Sequence, residues 1–123
     1  MWKVLIVDDS IISRNTMENI FRELKFKIVG KAVNGAEAVD LYKKTKPDLV
    51  LMDIIMPEMN GIDALKNIIR MDSEANIIMA TSHNEELMVM DAIYAGARGY
   101  TLKPIDKDHL VNEVERVLSE LED

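Results

Sequence analysis

The chain has 123 residues, long enough to bury a sizeable core. Its 48% hydrophobic and 30% charged residues exclude a disordered polymer, the absence of cysteine excludes disulfides and thiolate chemistry, and a net charge of −7 argues against nucleic acid as a direct partner. No stretch approaches a membrane span and no signal peptide opens the chain, so a cytoplasmic protein is expected.

The apolar run Val4-Leu5-Ile6-Val7 reads as a buried strand and ends in Asp8-Asp9. Met17, Ile20, Phe21 and Leu24 then recur at helical spacing. The Asp pair in front of that helix also reads as a simple cap. Residues Ile28–Val33 are a second strand candidate, and Asn34-Gly35 opens a helix with Asn34 as N-cap and Glu37 at its third position. The run Leu49-Val50-Leu51-Met52 ends in Asp53, a charge in an apolar stretch that needs a partner if buried. Pro57 and Gly61 mark the next loop, and Asn60 caps a helix whose inner stripe is Leu65, Ile68 and Ile69. Ile77-Ile78-Met79-Ala80 is a fourth strand, ending in Thr81-Ser82. A helix from about Glu85 to Ala95 follows, stopped by Gly96. It carries two apolar stripes, Leu87, Met90 and Tyr94 on one and Val89 and Ile93 on the other, where a surface helix needs one. The fifth strand, Gly99–Leu102, runs into Lys103-Pro104. Asp106 caps a last helix with Leu110, Val114, Val117, Leu118 and Leu121 at mostly helical spacing.

This alternation predicts a parallel sheet with helices on both faces. In such sheets ligands bind beyond the carboxyl ends of the strands. Asp8, Asp9, Asp53, Thr81 and Lys103 all stand at those ends, so they are expected on one rim. Three carboxylates held that close require a cation. Lys103 returns one charge, and the remainder matches a divalent ion; hard oxygen ligands select Mg²⁺ or Mn²⁺. A carboxylate beside such an ion can attack phosphorus and form an acyl phosphate. Lys103 would then offset charge on the phosphoryl oxygens, and Thr81 could donate a hydrogen bond to them. A Mg²⁺-dependent phosphatase with an Asp nucleophile is the weaker match, because Asp8-Asp9 lacks a spaced Asp-x-Asp pair and the chain is short for a substrate cap. A flavodoxin-like electron carrier shares the expected fold, but its first loop should cradle phosphate, which Asp8 and Asp9 repel.

The motifs Leu5-Ile6-Val7-Asp8-Asp9-Ser10, Asp53-Ile54-Ile55-Met56-Pro57, Met59-Asn60-Gly61, Ala80-Thr81-Ser82, Ala95-Gly96-Ala97 and Lys103-Pro104 together resemble those of response-regulator receiver domains. The resemblance covers residues 1–123, read as one receiver domain. It implies a (βα)5 flavodoxin-like fold, a single doubly wound parallel sheet of strand order 2-1-3-4-5. It implies that Asp53 accepts a phosphoryl group from a histidine kinase. Asp9, Asp53 and the backbone carbonyl of Ile55 would bind Mg²⁺ (or Mn²⁺) directly, and Asp8 through water. Lys103 would contact the phosphoryl group, Thr81 would move toward it, and Tyr100 would change rotamer. The chemistry takes place on the protein's own Asp53, with no external turnover. A cis Lys103-Pro104 bond is also implied.

The segment from Met56 to Leu65 is most similar to single-domain chemotaxis members of that family. That implies a chemotaxis-type histidine kinase upstream and a motility switch or adaptor protein downstream. The chain ends after its fifth helix, so a monomer that signals by protein contact is expected. Val89, Ile93 and Tyr100 are the candidate contact residues by family position. The alternative is a phosphorelay carrier that passes phosphoryl from Asp53 to a histidine phosphotransfer protein. Two departures stand out: Ser82 replaces the commoner alanine, and Ile54 replaces the tryptophan of some chemotaxis members. Ile55 and His83 occupy places where polar residues of relatives would orient a hydrolytic water, so a persistent phosphorylated state is expected.

Overall fold

The strands alternate with helices throughout: β1 (Lys3–Val7), α1 (Ile11–Glu23), β2 (Lys27–Ala32), α2 (Gly35–Thr45), β3 (Leu49–Asp53), α3 (Gly61–Met71), β4 (Ile77–Thr81), α4 (Glu86–Ala95), β5 (Gly99–Leu102) and α5 (Lys107–Glu122). The computed structural model describes residues 1–82 and 86–122, with side-chain surroundings through residue 119. The expectations placed on His83, on Glu85 as a helix start and on the side chain of Leu121 fall outside the described residues. All pairings are parallel and the sheet order is β2-β1-β3-β4-β5, as expected.

The period-two alternation of the strands sorts the core into two layers. Val4, Ile6, Leu49, Leu51, Ile78 and Ala80 face α1 and α5, where Met17, Phe21, Leu110 and Val114 meet them. Leu5, Val7, Val50, Met52, Ile77 and Met79 face the opposite way, against α2, α3 and α4. Central strands buried on both faces explain the unbroken apolar runs in the sequence.

The edge strands depart from that pattern. In β2 only Ala32 is buried, and the strand sits one residue earlier than the apolar pattern suggested. Val33 leaves the ladder because its N–H donates to the Glu37 carboxylate at 3.1 Å, while Asn34 caps α2 by accepting from the Glu37 N–H at 2.9 Å. On the other edge, β5 turns Tyr100 and Leu102 outward. Its open side is covered by α5: Tyr100 N–H donates to Glu113 Oε2 at 3.2 Å, and Arg116 Nη2 donates to the Arg98 carbonyl at 2.8 Å. These bonds occupy part of the edge that an open strand would otherwise present.

Helix α4 is anchored to the core mainly through the fully buried Ala92, with half-buried Val89 and Ala95 packed alongside. It ends in a Schellman motif: Gly96, at φ +119°, donates to Ile93 O, and Ala97 donates to Ala92 O. Neither expected apolar stripe is the core stripe. Leu87 is 79% exposed, Met90 55%, Ile93 45% and Tyr94 87%. Val89, expected on an outward stripe, instead faces both the core layer and the surface groove beside β5.

Candidate functional site

The strand order reverses between β1 and β3, because their following helices pack on opposite faces of the sheet. A crevice opens at that point on the carboxyl rim. Asp8 and Asp9 follow β1, Asp53 closes β3, Thr81 closes β4 and Lys103 follows β5. All five expected side chains therefore come from the same rim. One carboxylate oxygen from each of Asp8, Asp9 and Asp53 lies within 4.8 Å of the others. Lys103 Nζ lies 2.7 Å from Asp8 Oδ2 and 3.0 Å from Asp53 Oδ2. Asp8, Asp53 and Thr81 are buried, Asp9 is exposed and Lys103 is half-buried.

Asp8 is held from several sides. Its N–H donates to Ala32 O at 3.0 Å, its Oδ1 accepts from Ser10 N–H at 2.8 Å, and its carbonyl accepts from Arg14 Nη1 at 2.8 Å. The cap of α1 is Ser10, whose hydroxyl accepts from Ser13 N–H at 3.3 Å, so the Asp pair is not the cap. Ser10 stands in the first motif, but neither it nor Arg14 carries an expected role from the sequence. A long cation one turn into a helix does point back toward the helix start, and that is the signal for Arg14. The loop after β3 turns through Glu58 at φ +66°, buries Ile54 and Met56, and leaves Ile55 53% exposed at the rim. Thr81 Oγ1 donates to the Ser82 carbonyl at 3.3 Å, and the Thr81 carbonyl accepts from Lys103 N–H at 2.8 Å. The Lys103-Pro104 bond is cis.

Three carboxylates against one ammonium leave two uncompensated negative charges. Burial is the main cause that pushes the Asp53 carboxyl up, to about 6; Lys103 opposes it, and Asp8 and Asp9 add to it. Burial alone would lower the Lys103 ammonium, but its contacts with Asp8 and Asp53 outweigh burial and raise it. Asp8 Oδ2 is buried and has the Lys103 ammonium as its partner at 2.7 Å. Three carboxylates facing a single ammonium, in an all-oxygen donor set, fit a hard divalent cation. Asp53 must be ionised to serve such an ion, so protons and metal compete for it. Mg²⁺ affinity is expected to be flat above about pH 7 and to fall by up to about tenfold per unit below pH 6, as Asp53 takes up its proton. Calorimetric Mg²⁺ titrations from pH 5 to 8 check this; an affinity constant down to pH 5 would exclude Asp53 from the ligand set.

Among the described residues, no helix is long and apolar enough to cross a membrane. The response regulator receiver domain family matches residues 4–115. The chain is 44% identical to a chemotaxis protein CheY of Thermotoga maritima, over 94% of this chain and 96% of that protein. It is also 44% identical to CheY of Halobacterium salinarum, over 95% of this chain and 97% of that one. Among solved structures, a CheX-CheY-BeF3-Mg complex from Borrelia burgdorferi superposes with a TM-score of 0.91 at 37% identity, covering 95% of this chain and 89% of that one.

Proposed function

The chain belongs to the response regulator receiver domain family, and from that premise we propose that it is a phosphorylation-dependent switch that takes phosphoryl from a histidine kinase onto Asp53 and signals by protein contact in chemotaxis or motility control. The observation that carries the reading is the Lys103 ammonium set between Asp8 and Asp53 over a cluster of three carboxylates. Similarity to CheY proteins over nearly the whole chain supports the chemotaxis assignment and a cytoplasmic setting.

The chemistry follows from the residues. An Asp53 carboxylate oxygen attacks the phosphorus of a phosphohistidine. The phosphorus–nitrogen bond breaks, and its electron pair leaves on the imidazole, which binds a proton. Lys103, already 3.0 Å from Asp53 Oδ2, offsets charge on the new phosphoryl oxygens. Asp9, Asp53 and the Ile55 carbonyl would hold Mg²⁺ directly, with Asp8 holding it through water. Mg²⁺ supplies further neutralisation of the carboxylate and phosphoryl oxygens when bound. Thr81 exchanges the Ser82 carbonyl for a phosphoryl oxygen, a charged and stronger acceptor. Ile11 and Ile12, exposed on the first turn of α1, ring the same rim as Ile55, where a protein donor must sit to reach Asp53.

The output side is a groove of about 640 Å³ between α4 and β5, whose lining includes Thr81, Val89, Met90, Ile93, Tyr94 and Tyr100. Thr81 contributes to this groove from the strand end next to Asp53, so a shift of Thr81 changes the space open to Tyr100. The test loads the protein with acetyl phosphate and Mg²⁺ and measures two events. Tighter binding to a motility switch or adaptor is expected. Loss of phosphoryl to a histidine phosphotransfer domain, without that binding, would make the protein a phosphorelay carrier instead.

The phosphorylated state is expected to persist. Hydrolysis needs a water in line with the bond to Asp53. Ile55 offers such a water no hydrogen bond, and its branched side chain helps exclude it. Ile55→Asn is expected to speed decay by roughly tenfold, less than the roughly 10²–10⁴-fold of a positioned acid or base, because an amide can orient the water but cannot take its proton. Decay of phosphoprotein after donor removal checks this; an unchanged rate would show that Ile55 does not control the attacking water.

A further inference from the structure

The loop after β3 is tied down at two points that the phosphoryl chemistry does not use. At its base, Gly61 N–H donates to Ile54 O at 2.7 Å. At its far side, the loop is fastened to the start of α2, on a different part of the fold. Gly35 N–H donates to Met59 O at 2.8 Å, and Asn34 Nδ2 donates to Glu58 Oε2 at 3.4 Å. The approach is closer than any side chain at position 35 allows. A Cβ on Gly35 would stand 2.4 Å from Met59 O and 2.8 Å from Met59 Cγ. The atom met is backbone, so the loop and not a flexible side chain would have to move. Ile55 lies between the two ties, on the stretch whose position they set.

We propose that Gly35 is a positioning residue for the metal site: its bare amide latches the β3–α3 loop to α2 and so holds the Ile55 carbonyl where it can complete the cation's shell. The proposal rests on the reading of Asp8, Asp9, Asp53 and Ile55 as a Mg²⁺ site. Groups that orient a ligand from behind typically change metal affinity by about 10–100-fold. Linkage adds a second consequence. If the closed latch favours the ion, the ion favours the closed latch by the same factor.

Mg²⁺ titration by calorimetry, at pH 7.5 and without any phosphoryl donor, compares wild type, Gly35→Ala and Gly30→Ala. Gly30 is the control because a Cβ there meets only side-chain tips, Leu5 Cδ1 at 3.1 Å and Leu41 Cδ1 at 3.3 Å, on the same β2–α2 segment. Gly35→Ala is expected to weaken Mg²⁺ about tenfold, while Gly30→Ala lowers the melting temperature and leaves affinity within about twofold. Amide hydrogen exchange on the wild type needs no variant to fold. The Gly35 N–H is expected to exchange about tenfold more slowly with Mg²⁺ bound. Wild-type binding with equal affinity in Gly35→Ala, or with a Gly35 exchange rate indifferent to Mg²⁺, would overturn the latch alone. Failure of the wild type to bind Mg²⁺ at all would overturn the metal reading and the latch with it.

Discussion

Asp53→Asn is expected to abolish phosphoryl uptake from acetyl phosphate. Wild-type protein with Mg²⁺ should gain the mass of one phosphoryl group, and the variant should gain none. The amide keeps the shape of the side chain but has no nucleophilic oxygen, and even in a serine protease losing the nucleophile costs on the order of 10⁶-fold. The same variant carries a stability signature with the opposite sign. Burial, more than any other cause, pushes the Asp53 carboxyl up to about 6, so the folded state binds a proton more readily than the unfolded chain does. The fold is therefore stabilised as pH falls through 6, and the ionised carboxylate is a liability at neutral pH. Asparagine removes that liability. Without metal, the variant should melt a few degrees higher than wild type at pH 7.5, and the advantage should vanish below about pH 4, where both states of the wild type are protonated. Mg²⁺ should close the gap by stabilising only the wild type strongly. Phosphoryl mapped to Asp8 or Asp9 in the variant would sink the assignment, and a variant that melts lower at neutral pH would show that the carboxylate is a net structural asset.

Much of this was legible before the structure, and the reasons are local. Central strands bury both faces, so β1, β3 and β4 appear as unbroken apolar runs whose ends can be read directly. Asp8, Asp9, Asp53 and Thr81 follow from those ends, and Lys103 from the end of β5. Edges were less legible. Val33 continues the apolar run of β2, and only the Glu37 carboxylate, a side chain four residues on, takes its N–H out of the ladder. In α4 the sequence shows apolar residues on two sides, but a pattern cannot say which side is covered. The helix buries its small Ala92 and leaves Leu87, Met90 and Tyr94 outside, an outcome of close packing against the sheet and α3. Of the contacts that orient the site, one was out of reach for a different reason. Met59 on the Gly35 amide joins residues whose proximity exists only once the chain is folded, whereas Arg14 on the Asp8 carbonyl was readable from its place one turn into α1.

Ile93→Glu is expected to weaken binding of the phosphorylated protein to its output partner by at least about thirtyfold, the scale of a hot-spot residue at the centre of an interface. Ile93 is 45% exposed, lines the groove between α4 and β5, and makes no contribution to the buried core layer. A carboxylate there is solvated in the free protein, so folding and phosphorylation of Asp53 should be unchanged. Once a partner covers the groove, the charge is desolvated without a counter-ion, and binding bears that cost. Val89→Glu separates surface from core. Val89 packs partly against the core layer, so the same change there should lower the melting temperature as well as partner binding. Affinity of phosphorylated and unphosphorylated protein for the partner, measured side by side, distinguishes contact from switching. A ligand shifts a conformational equilibrium only through its differential affinity for the two states. Ile93 offers the same apolar surface in both states, so Ile93→Glu should lower both affinities and preserve their ratio. Tyr100, which lines the groove together with Thr81, is where the states are expected to differ, so Tyr100→Ala should shrink the ratio itself. Full binding by Ile93→Glu would move the output surface away from α4, and a preserved ratio in Tyr100→Ala would remove Tyr100 from the switch.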